Sequence, residues 1–452
     1  MVTEPVVTVL PTEEPETMPH RAEDDARNVV LNTMNAPFAA YAKDMLGVEP
    51  VADNEVYAIR SVEISTVNVA DPNEYYIASY GAGIVHMKNG IYYNHYDRSN
   101  STLKPVSMDM PNPDEFIRVD GLYVDSLGYL WALNAGGYAN SINVKSPEGV
   151  WKAYNIYSEG RRVELTTPGN IIPDRRDARY KWLYDQRTTQ GVILHFDNGT
   201  PMNGADDVAM KRSYFYDQDA MQVVLSEVEC LVQDQNNDIW IGTPSGIVII
   251  QHSVDFLKEN TCYRVKIPRN DGTNLADYLL GTEKINCIFV DGGNRKWIGT
   301  ETSGLYLVSP DGLETIEHFT ELNSPLLSNK IISLAAHPTT GELFIGTAAG
   351  IASYRSDASE PQDDLKHVYA FPNPVRADYT GVITISGLMD NTAVNIIDGG
   401  GNLVCKTRSN GGIAVWNGLN QHGKRAATGI YTVLCNAGDG KSHTVAKIMV
   451  IN

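Results

Sequence analysis

The 452-residue sequence predicts an all-β protein in which a β-propeller is followed by a small antiparallel, immunoglobulin-like β-sandwich. Three observations support this prediction. A hairpin motif recurs at intervals of 47 to 58 residues, its strands are apolar at nearly every position, and the composition changes sharply after residue 367. With 42% hydrophobic and 20% charged residues, the chain has the composition of a globular protein with an extensive core.

Residues 1–50 form an N-terminal segment that begins with an acidic, proline-containing stretch. From Ala22 to Leu46 the apolar residues fall near helical spacing, which predicts one short helix. The opening "MVTEPVVTVLPTEEPETM" has neither the basic nor the apolar region of a secretory signal, so we expect the signal peptide of an exported protein to lie outside this chain.

The hairpin motif is clearest in "NNDIWIGTPSGIVII" (236–250), "GNRKWIGTETSGLYLV" (293–308) and "TGELFIGTAAGIASY" (340–354). Alignment of its central aromatic residue gives six stations separated by 55, 51, 58, 57 and 47 residues: Tyr76, Trp131, Trp182, Trp240, Trp297 and Phe344. A propeller blade of four short strands with turns needs roughly 40 to 50 residues, which matches this period. The sequence therefore predicts six blades within a propeller that spans residues 51–357.

The strands of one blade can be assigned in order as "VECLVQD", "DIWIGT", "GIVII" and, on the outside, "CYRVKI". Because both faces of a blade pack against neighbours, its strands are expected to be apolar throughout. Gly242, Gly299 and Gly346 share one repeat position, where the missing side chain would let the next blade's backbone or a bulky ring approach closely. Cys230 and Cys287 share another position and are interpreted as small packing residues.

The last blade, Ile331–Arg355, shows only three strands, and an open edge would leave backbone groups unpaired. The segment "VVTVL" at Val6–Leu10 is therefore expected to supply the fourth strand and to complete the propeller. A seventh blade is also expected. It is degenerate, assembled from both ends of the chain, or encoded upstream, and the strand count leaves these alternatives open.

After a polar linker at residues 358–367, residues 368–452 form a C-terminal module that contains no glutamate. Seven Lys and Arg residues against four Asp give this module a charge of about +3. Since the whole chain has a charge of −19, the residues before the module have a charge of about −22. Six strand runs separated by Gly and Asn turns predict the antiparallel sandwich: "GVITISGL", "TAVNIID", "NLVCKT", "IAVWNGL", "GIYTVLC" and "TVAKIMVI".

Several functional classes are disfavoured by the same sequence. A charge of −19 argues against nucleic-acid partners, and no apolar run reaches the roughly 18 residues of a transmembrane helix. No His or Cys spacing matches a metal site, so neither a metal nor a cofactor is predicted. "GTPSG" places Ser245 one position late for a hydrolase nucleophile, and "GDGKS" (438–442) lacks the first glycine of a phosphate loop.

Three further stretches have two interpretations each. "DNGTPMNGADD" (Asp197–Asp207) collects oxygen ligands suited to calcium, but its spacing differs from an EF-hand and a structural loop is preferred. The tyrosines of "IYYNHYD" and "RSYFYD" can offer rings to sugars, although packing in outer strands is the preferred interpretation. Cys405 and Cys435 are either a disulfide or two buried thiols.

The repeat around "NDIWIGTPSGI" resembles the two-component regulator propeller repeat of bacterial surface sensors and exported proteins. The stretches "YAFPNPV", "VNIIDGGGNLV", "WNGLNQHGKRAATGIYTV" and "TVAKIMVIN" resemble the C-terminal sorting domain of type IX secretion. This domain order is similar to the C-terminal portion of the PorZ family. That resemblance implies a protein on the outer surface, associated with the outer membrane after export, and implies that one upstream propeller is missing here.

The resemblance further implies a non-enzymatic part of the type IX attachment machinery. Its implied partners are the sortase PorU, the outer-membrane barrel PorV, PorQ, and anionic lipopolysaccharide that it presents to the sortase for anchoring of cargo. Candidate ligand-binding residues are Lys424, Arg425 and Lys441, because cations in exposed turns can meet phosphate or carboxylate groups. Candidate partner-docking residues are Gly423, Gly429 and Lys447.

Two other functions share parts of this pattern. A glycan-sensing propeller ectodomain of a hybrid two-component receptor uses the same repeat, but it requires a transmembrane helix and signalling segments after the propeller. A secreted propeller enzyme acting on polysaccharide is the other alternative, with the C-terminal module serving only as an address. Retention and cleavage of that module remain equally open at this stage.

Overall fold

The computed structural model describes residues 7–9, 62–68, 71–79, 81–136, 140–187, 191–251, 256, 258–269, 271–273, 275–436 and 443–451. Within these ranges the chain is built almost entirely of β-strands, and a 3₁₀ turn lies at Pro113–Phe116. The all-β prediction is therefore confirmed. The helix predicted between Ala22 and Leu46 lies outside the described residues.

The structure divides into two compact units. The first contains residues 11–286, and the second contains residues 1–10 together with 287–452. The first strand of the chain, β1 (Val7–Val9), thus belongs to the unit that holds the C-terminal residues. The boundary at residue 286 falls inside one strand of a blade.

The first unit contains four propeller-type sheets, which we number blades 1 to 4. Blade 1 is formed by β2 (Val62–Asn68), β3 (Asp71–Ser79), β4 (Gly83–Lys88) and β5 (Ile91–Tyr96). Blade 2 is formed by β6 (Val119–Val124), β7 (Leu130–Asn134), β8 (Ile142–Lys145) and β9 (Trp151–Tyr154). Both are four-stranded antiparallel meanders in which neighbours in sequence are neighbours in the sheet.

Blades 3 and 4 depart from this regular pattern. Blade 3 has six strands: β10 (Ile156–Ser158), β11 (Arg161–Val163), β12 (Ile172–Pro173), β13 (Tyr180–Tyr184), β14 (Val192–Phe196) and β15 (Val208–Arg212). A separate hairpin follows, with β16 (Tyr214–Tyr216) and β17 (Gln222–Val224). Blade 4 has three strands, β18 (Cys230–Gln233), β19 (Ile239–Thr243) and β20 (Gly246–Ile250).

The outer strand predicted for blade 4 as "CYRVKI" is wrong as a continuous element. Only Tyr263 pairs with blade 4, through two backbone hydrogen bonds with Ile249 of 2.9 and 2.7 Å. The chain then forms its own hairpin from β21 (Lys266–Pro268) and β22 (Ala276–Tyr278). The flanking backbone groups bond elsewhere, since Cys262 N–H donates to Tyr216 O (2.9 Å) and Val265 O accepts from Leu279 N–H (2.9 Å).

The second unit contains two more blades. Blade 5 is formed by β23 (Ile285–Val290), β24 (Lys296–Thr300), β25 (Leu305–Val308) and β26 (Thr315–Phe319). Blade 6 is formed by β27 (Ile331–Ala336), β28 (Glu342–Thr347) and β29 (Gly350–Arg355), with β1 as its fourth strand. β1 pairs antiparallel with β29, in a register that places Val9 opposite Ala352. The strand predicted at Val6–Leu10 is thereby confirmed, and the described residues form six blades in all.

The repeated glycine position is explained by side chains on both sides of it. A Cβ on Gly242 would lie 2.5 Å from Cys230 Sγ on the paired strand and 2.8 Å from Ile285 Cγ2 at the start of the next blade's strand. A Cβ on Gly299 would lie 2.6 Å from both Cys287 Sγ and Ile331 Cγ2. The close neighbours are thus a small side chain and a β-branched side chain, rather than the backbone or ring that we predicted.

The tryptophans of the repeat are buried. For three of them, an aspartate earlier in the chain accepts a hydrogen bond from the indole N–H. Asp125, Asp174 and Asp234 each accept an indole hydrogen bond, from Trp131 (3.0 Å), Trp182 (3.2 Å) and Trp240 (3.2 Å), respectively. The other oxygen of Asp234 accepts backbone N–H groups two and four residues further on. Each aspartate therefore stabilises its turn and satisfies a buried indole at the same time.

Phe344, which we aligned with these tryptophans, is 42% exposed, whereas Trp297 in the same unit is fully buried. Phenylalanine has no N–H to anchor it, and the turn before it contains His337 in place of the usual aspartate. The alignment of β28 with the repeat is correct in register, since Gly346 still faces Ser333. Phe344 therefore keeps the register of the tryptophan position but not its burial.

The C-terminal module is a two-sheet sandwich. One sheet contains β30 (Tyr369–Phe371), β31 (Ile383–Ser386) and β34 (Ile413–Trp416), and the other contains β32 (Ala393–Ile397), β33 (Leu403–Arg408), β35 (Gly429–Asn436) and β36 (His443–Val450). All six predicted strand runs are present. A shared core that includes Ile385, Ile396, Trp416, Val433 and Ile448 lies between the sheets.

A compact junction joins this sandwich to blade 5 within the second unit. Gly412 N donates to Ser359 O (2.9 Å), and a Cβ on Gly292 of blade 5 or on Gly411 of the sandwich would overlap that same carbonyl oxygen. The segment at Asp357–Ser359 therefore lies between two backbones that only glycine allows to approach so closely.

An ion-pair network crosses the same junction. The buried Arg295 of blade 5 donates to Asp291 (2.8 Å) and to Asp357 (2.7 Å), and Asn410 of the sandwich also donates to Asp357 (3.3 Å). Asp291 Oδ2 is bound by this arginine, and the buried indole N–H of Trp297 has no hydrogen-bond partner among the described residues. Blade 5 has lost the indole contact that blades 2, 3 and 4 retain.

Candidate functional site

The predicted ligand-binding residues Lys424 and Arg425 lie in an exposed turn of the sandwich. The side-chain oxygen of Asn420 accepts the backbone N–H of Lys424 at 3.1 Å, and Gly423 has a φ of 71°, in the left-handed region that favours glycine. The turn thus fixes the backbone of Lys424, while its ammonium group remains exposed to solvent.

Arg425 has a structural contact as well as an exposed surface. Its guanidinium donates to the backbone carbonyls of Tyr379 (3.0 Å) and Arg376 (2.8 Å), which lie in the loop after β30. These charge-assisted hydrogen bonds bring Arg376, itself exposed, to the turn of Lys424 and Arg425. We call Arg376, Lys424 and Arg425 the basic turn.

Sequence reasoning missed Arg376 as a site residue. It was counted only in the overall charge of the module, and no local pattern connects it with Arg425 across 49 residues. The signal that was available is its position directly after the "FPNPV" segment, between β30 and β31.

The other predicted residues lie elsewhere in the module. Gly429 pairs with Val450 and Lys447 pairs with Thr432, so both belong to the sheet rather than to the basic turn. The backbone carbonyl of Lys447 accepts a hydrogen bond from Asn373 at 2.8 Å, and its side chain is exposed. Lys441 lies outside the described residues, so its proposed role stays a prediction.

The Asp197–Asp207 loop uses its carboxylates for internal contacts. Asp197 forms a 2.7 Å ion pair with Lys181, and both side chains are buried. Asp207 lies 2.9 Å from His195 Nε2, and Asp206 accepts a hydrogen bond from Thr200. These contacts support the structural interpretation of the loop. Across the part of the chain that the structure describes, no group of three or more His, Cys, Asp or Glu side chains is placed to hold a metal ion.

The motifs that resembled catalytic loops are ordinary turn elements where they are described. Ser245 lies in the turn between β19 and β20, its backbone N–H donates to Thr243 Oγ1 at 3.1 Å, and the following Gly246 has a φ of 88°. The "GDGKS" segment lies outside the described residues.

The five cysteines are all free thiols in the structure. Cys405 and Cys435 lie on the two strands that flank β32, and they are not bonded to each other. Burial raises the pKa of the Cys435 thiol to about 12 and also raises the pKa of Cys405. A buried thiol with a raised pKa is a poor nucleophile, which fits the interpretation of these cysteines as packing residues.

Some tyrosines that we assigned to packing are also exposed. Tyr96 and Phe215 are buried as predicted, but Tyr93 is 64% exposed, and Tyr214 and Tyr216 are 43% and 45% exposed. Tyr93 also packs edge-on against His86, with ring centroids 4.8 Å apart, and Tyr214 packs against Tyr216 at 6.2 Å, so these rings combine packing contacts with exposed surface. Their exposed surfaces lie on β5, the outer strand of blade 1, and on the β16–β17 hairpin.

No family model matches the chain, and no curated protein matches it. Among solved structures, one similar protein is PorZ of Porphyromonas gingivalis, described as an essential bacterial surface component of the type IX secretion system. The two chains are 27% identical over 87% of this chain, with a TM-score of 0.61. This chain has a PorZ-like propeller fold. It matches 52% of PorZ, and thus spans about half of that protein's length.

Weaker similarities are found with extracellular domains of putative sensor systems of B. thetaiotaomicron. The domain of BT4673 is 14% identical over 86% of this chain and 50% of its own, with a TM-score of 0.42. The domain of BT3049 is 13% identical over 86% of this chain and 55% of its own, with a TM-score of 0.39. Neither similarity is strong enough to assign a function. In the described ranges, no helix is long and apolar enough to cross a membrane.

Proposed function

We propose that this chain is a non-enzymatic, surface-exposed component of a type IX secretion attachment machinery. The observation that carries the proposal is the 27% identity to PorZ over 87% of the chain, at a TM-score of 0.61. The succession of propeller blades and a C-terminal sandwich agrees with the repeat and sorting-domain resemblances in the sequence. The protein is expected at the cell surface, associated with the outer membrane.

The proposed role is that of a scaffold that binds anionic lipopolysaccharide and presents it to a sortase. A sandwich with a charge of about +3 on a strongly acidic chain offers a local region to which anionic groups are attracted. Within it, Lys424 and Arg376 are exposed cations at one turn, and Arg425 holds that turn together. The sandwich is also the proposed docking module for the barrel PorV, the sortase PorU and PorQ, with Gly423, Gly429 and Lys447 as proposed contact residues.

Copurification tests the scaffold role. The tagged full-length protein, expressed in a bacterium that has a type IX system, is expected to bring down the barrel and the sortase after mild detergent extraction of outer membranes. A tagged periplasmic protein of the same abundance serves as the control. Recovery of neither partner above that control would contradict the proposed function.

A pull-down with lipopolysaccharide tests the basic turn. The double variant Arg376→Glu and Lys424→Glu is expected to weaken binding of anionic lipopolysaccharide at least tenfold, because each lost charge-assisted contact contributes about 1.5–3 kcal/mol. Lys406→Glu combined with Lys447→Glu changes the charge of the same module by the same amount at exposed positions on β33 and β36. Equal losses from both double variants would assign the attraction to net charge and would reject the basic turn as a site.

A further inference from the structure

A polar groove lies in the first unit between the outer edge of blade 2 and the loop that precedes β15. Its walls are residues of β9 and β10, with the connecting Asn155, on one side and residues 202–205 on the other. The groove has a volume of about 400 Å³, which is within the range of small-molecule sites in proteins, roughly 300–1,000 Å³. None of the features discussed above assigns it a role.

The wall of the groove is held in place by internal contacts. Tyr154 donates from its hydroxyl to the carbonyl of Pro201 at 3.3 Å, and Gly204 lies so close to the Tyr154 ring that any Cβ there would overlap it. The same loop is tied down at its far end, where Asp207 lies 2.9 Å from the buried His195. A site whose walls are fixed in advance loses less conformational entropy when it binds a ligand.

The polar side chains that line the groove are amides, tyrosines and one lysine. Asn155 and Asn203 provide amide groups, and Tyr157 lines the groove with a ring that is 57% exposed. No acidic side chain lines it, although the chain as a whole has a net charge of −19, and Lys152 is its one charged residue. Amides donate and accept hydrogen bonds, and tyrosine adds an apolar face, which together suit a hydroxyl-bearing ring.

One polar atom of the groove residues is without a partner. The Oδ1 atom of Asn155 is buried and accepts no hydrogen bond in the described structure. A buried acceptor in this condition is unfavourable by about 1–3 kcal/mol unless a donor reaches it. Because Asn155 lines the groove, rotation of its amide about χ2 would present this oxygen to a hydroxyl group of a ligand.

We propose that this groove binds one sugar ring of an anionic surface glycan, with Asn155 accepting from a hydroxyl, Tyr157 lying against the ring, and Lys152 facing a carboxylate or phosphate substituent. The choice of an anionic glycan rests on the proposed function, whereas the groove itself rests on the contacts above. The proposal locates a glycan contact in the propeller, separate in sequence and in fold from the basic turn.

The test uses the lipid-free polysaccharide released by mild acid from anionic lipopolysaccharide, titrated into the full chain by isothermal calorimetry. Tyr157→Ala and Asn155→Ala are each expected to weaken binding about fivefold to tenfold. Leu127→Ala is the control, because Leu127 is also an exposed apolar side chain, at 70%, but lies in the turn between β6 and β7. Thermal melting checks folding, and Asn155→Ala is expected to melt no lower than wild type because it removes an unsatisfied acceptor.

Two chemical arms identify the acidic substituent. Lys152→Gln is expected to weaken binding of the native polysaccharide about fivefold. The same substitution is expected to have no effect on binding of a polysaccharide from which the acidic group that Lys152 faces has been removed. Removal of phosphate with hydrofluoric acid and reduction of carboxyl groups are done separately. Whichever treatment abolishes the Lys152 effect identifies the group, and an effect that survives both treatments would overturn the assignment of Lys152.

The outcomes separate this proposal from the proposed function. If lipopolysaccharide binds but the Tyr157 and Asn155 variants bind like wild type, the groove is rejected while the surface role stands. If intact lipopolysaccharide does not bind, the proposed function fails, and an array of uronate- and phosphate-bearing oligosaccharides then decides the groove. Binding on that array that is lost in Tyr157→Ala supports the groove, and absence of binding to every member overturns it.

Discussion

Blades 4 and 5 both start their central hairpin with an aspartate, but they use it differently. In blade 4, Asp234 stabilises the turn and accepts the indole N–H of Trp240 at 3.2 Å. In blade 5, Asp291 stabilises the turn in the same way, but its second oxygen is bound by Arg295 at 2.8 Å. The repeat is thus "DQNNDIW" in one blade and "DGGNRKW" in the other.

The difference arises from what each turn has to contact. The blade 5 turn receives the Asp357–Ser359 segment and the sandwich behind it, so Gly292 replaces a side-chain-bearing residue and Arg295 replaces Asp238 of the repeat. In this blade the indole N–H of Trp297 has no partner among the described residues. Departures from a repeat consensus can therefore mark the blade on which another module docks.

The largest expected effect comes from Gly292→Ala. Its Cβ would overlap the carbonyl oxygen of Ser359, and overpacking of this kind costs about 1–3 kcal/mol. We expect a loss near 3 kcal/mol in the free energy of unfolding of the second unit, measured by urea titration with tryptophan fluorescence. Gln235→Ala, at the equivalent position of blade 4, is expected to cost less than about 1 kcal/mol. Equal losses would remove the distinction between the two turns.

A smaller effect is expected from Arg295→Met, which leaves Asp291 and Asp357 without their shared cation. We expect a loss of about 2 kcal/mol, below the 3–5 kcal/mol of a fully buried pair because Asp357 is partly exposed. The exposed Arg161→Met is the control and should change stability little.

The same variant also tests why Trp297 lacks a partner. Freed from Arg295, Asp291 is expected to accept the Trp297 indole N–H, as Asp234 does for Trp240. Nuclear magnetic resonance would then show slower hydrogen exchange and a downfield shift for that indole proton. An unchanged indole signal would show that the arginine is not what prevents the contact.

The smallest expected effect is a difference between two tryptophan substitutions. Trp240→Phe and Trp297→Phe remove similar apolar surface, but only the first removes a hydrogen bond to an aspartate. We therefore expect Trp240→Phe to be more destabilising by about 1 kcal/mol. The comparison is made by denaturant titration of the two variants under identical conditions, and a larger loss in Trp297→Phe would contradict it.

The sequence was sufficient to predict the central strands of the blades and the sandwich strands because their signals are local, but not the outer strand of blade 4. Each blade repeats an aromatic station and apolar strands, three blades add a glycine two positions after the aromatic residue, and the sandwich strands are separated by Gly and Asn turns. Even the pairing of β1 could be predicted, since blade 6 lacked one strand and "VVTVL" was an unassigned strand-forming segment. Phe344 shows the limit of this reasoning, because it keeps the strand register of the repeat and yet is 42% exposed.

The contacts that define the candidate sites are not local, and that is why the sequence did not reveal them. Arg425 was predicted to meet a ligand, but its guanidinium binds the carbonyls of Arg376 and Tyr379, which are 49 and 46 residues away. The groove likewise combines Asn155 with the loop at residues 202–205. No periodicity or motif in the sequence indicates that these distant segments are in contact.

The pairing of Val7–Val9 with Gly350–Arg355 has a consequence for the order in which the protein is made. On the ribosome, β1 is synthesised long before the strand that it pairs with, so blade 6 cannot be completed until most of the chain has been translated. Contacts between such distant segments are slow to form because a long loop must close first. Nascent chains that stop before residue 350 are therefore expected to lack this sheet and to be readily degraded.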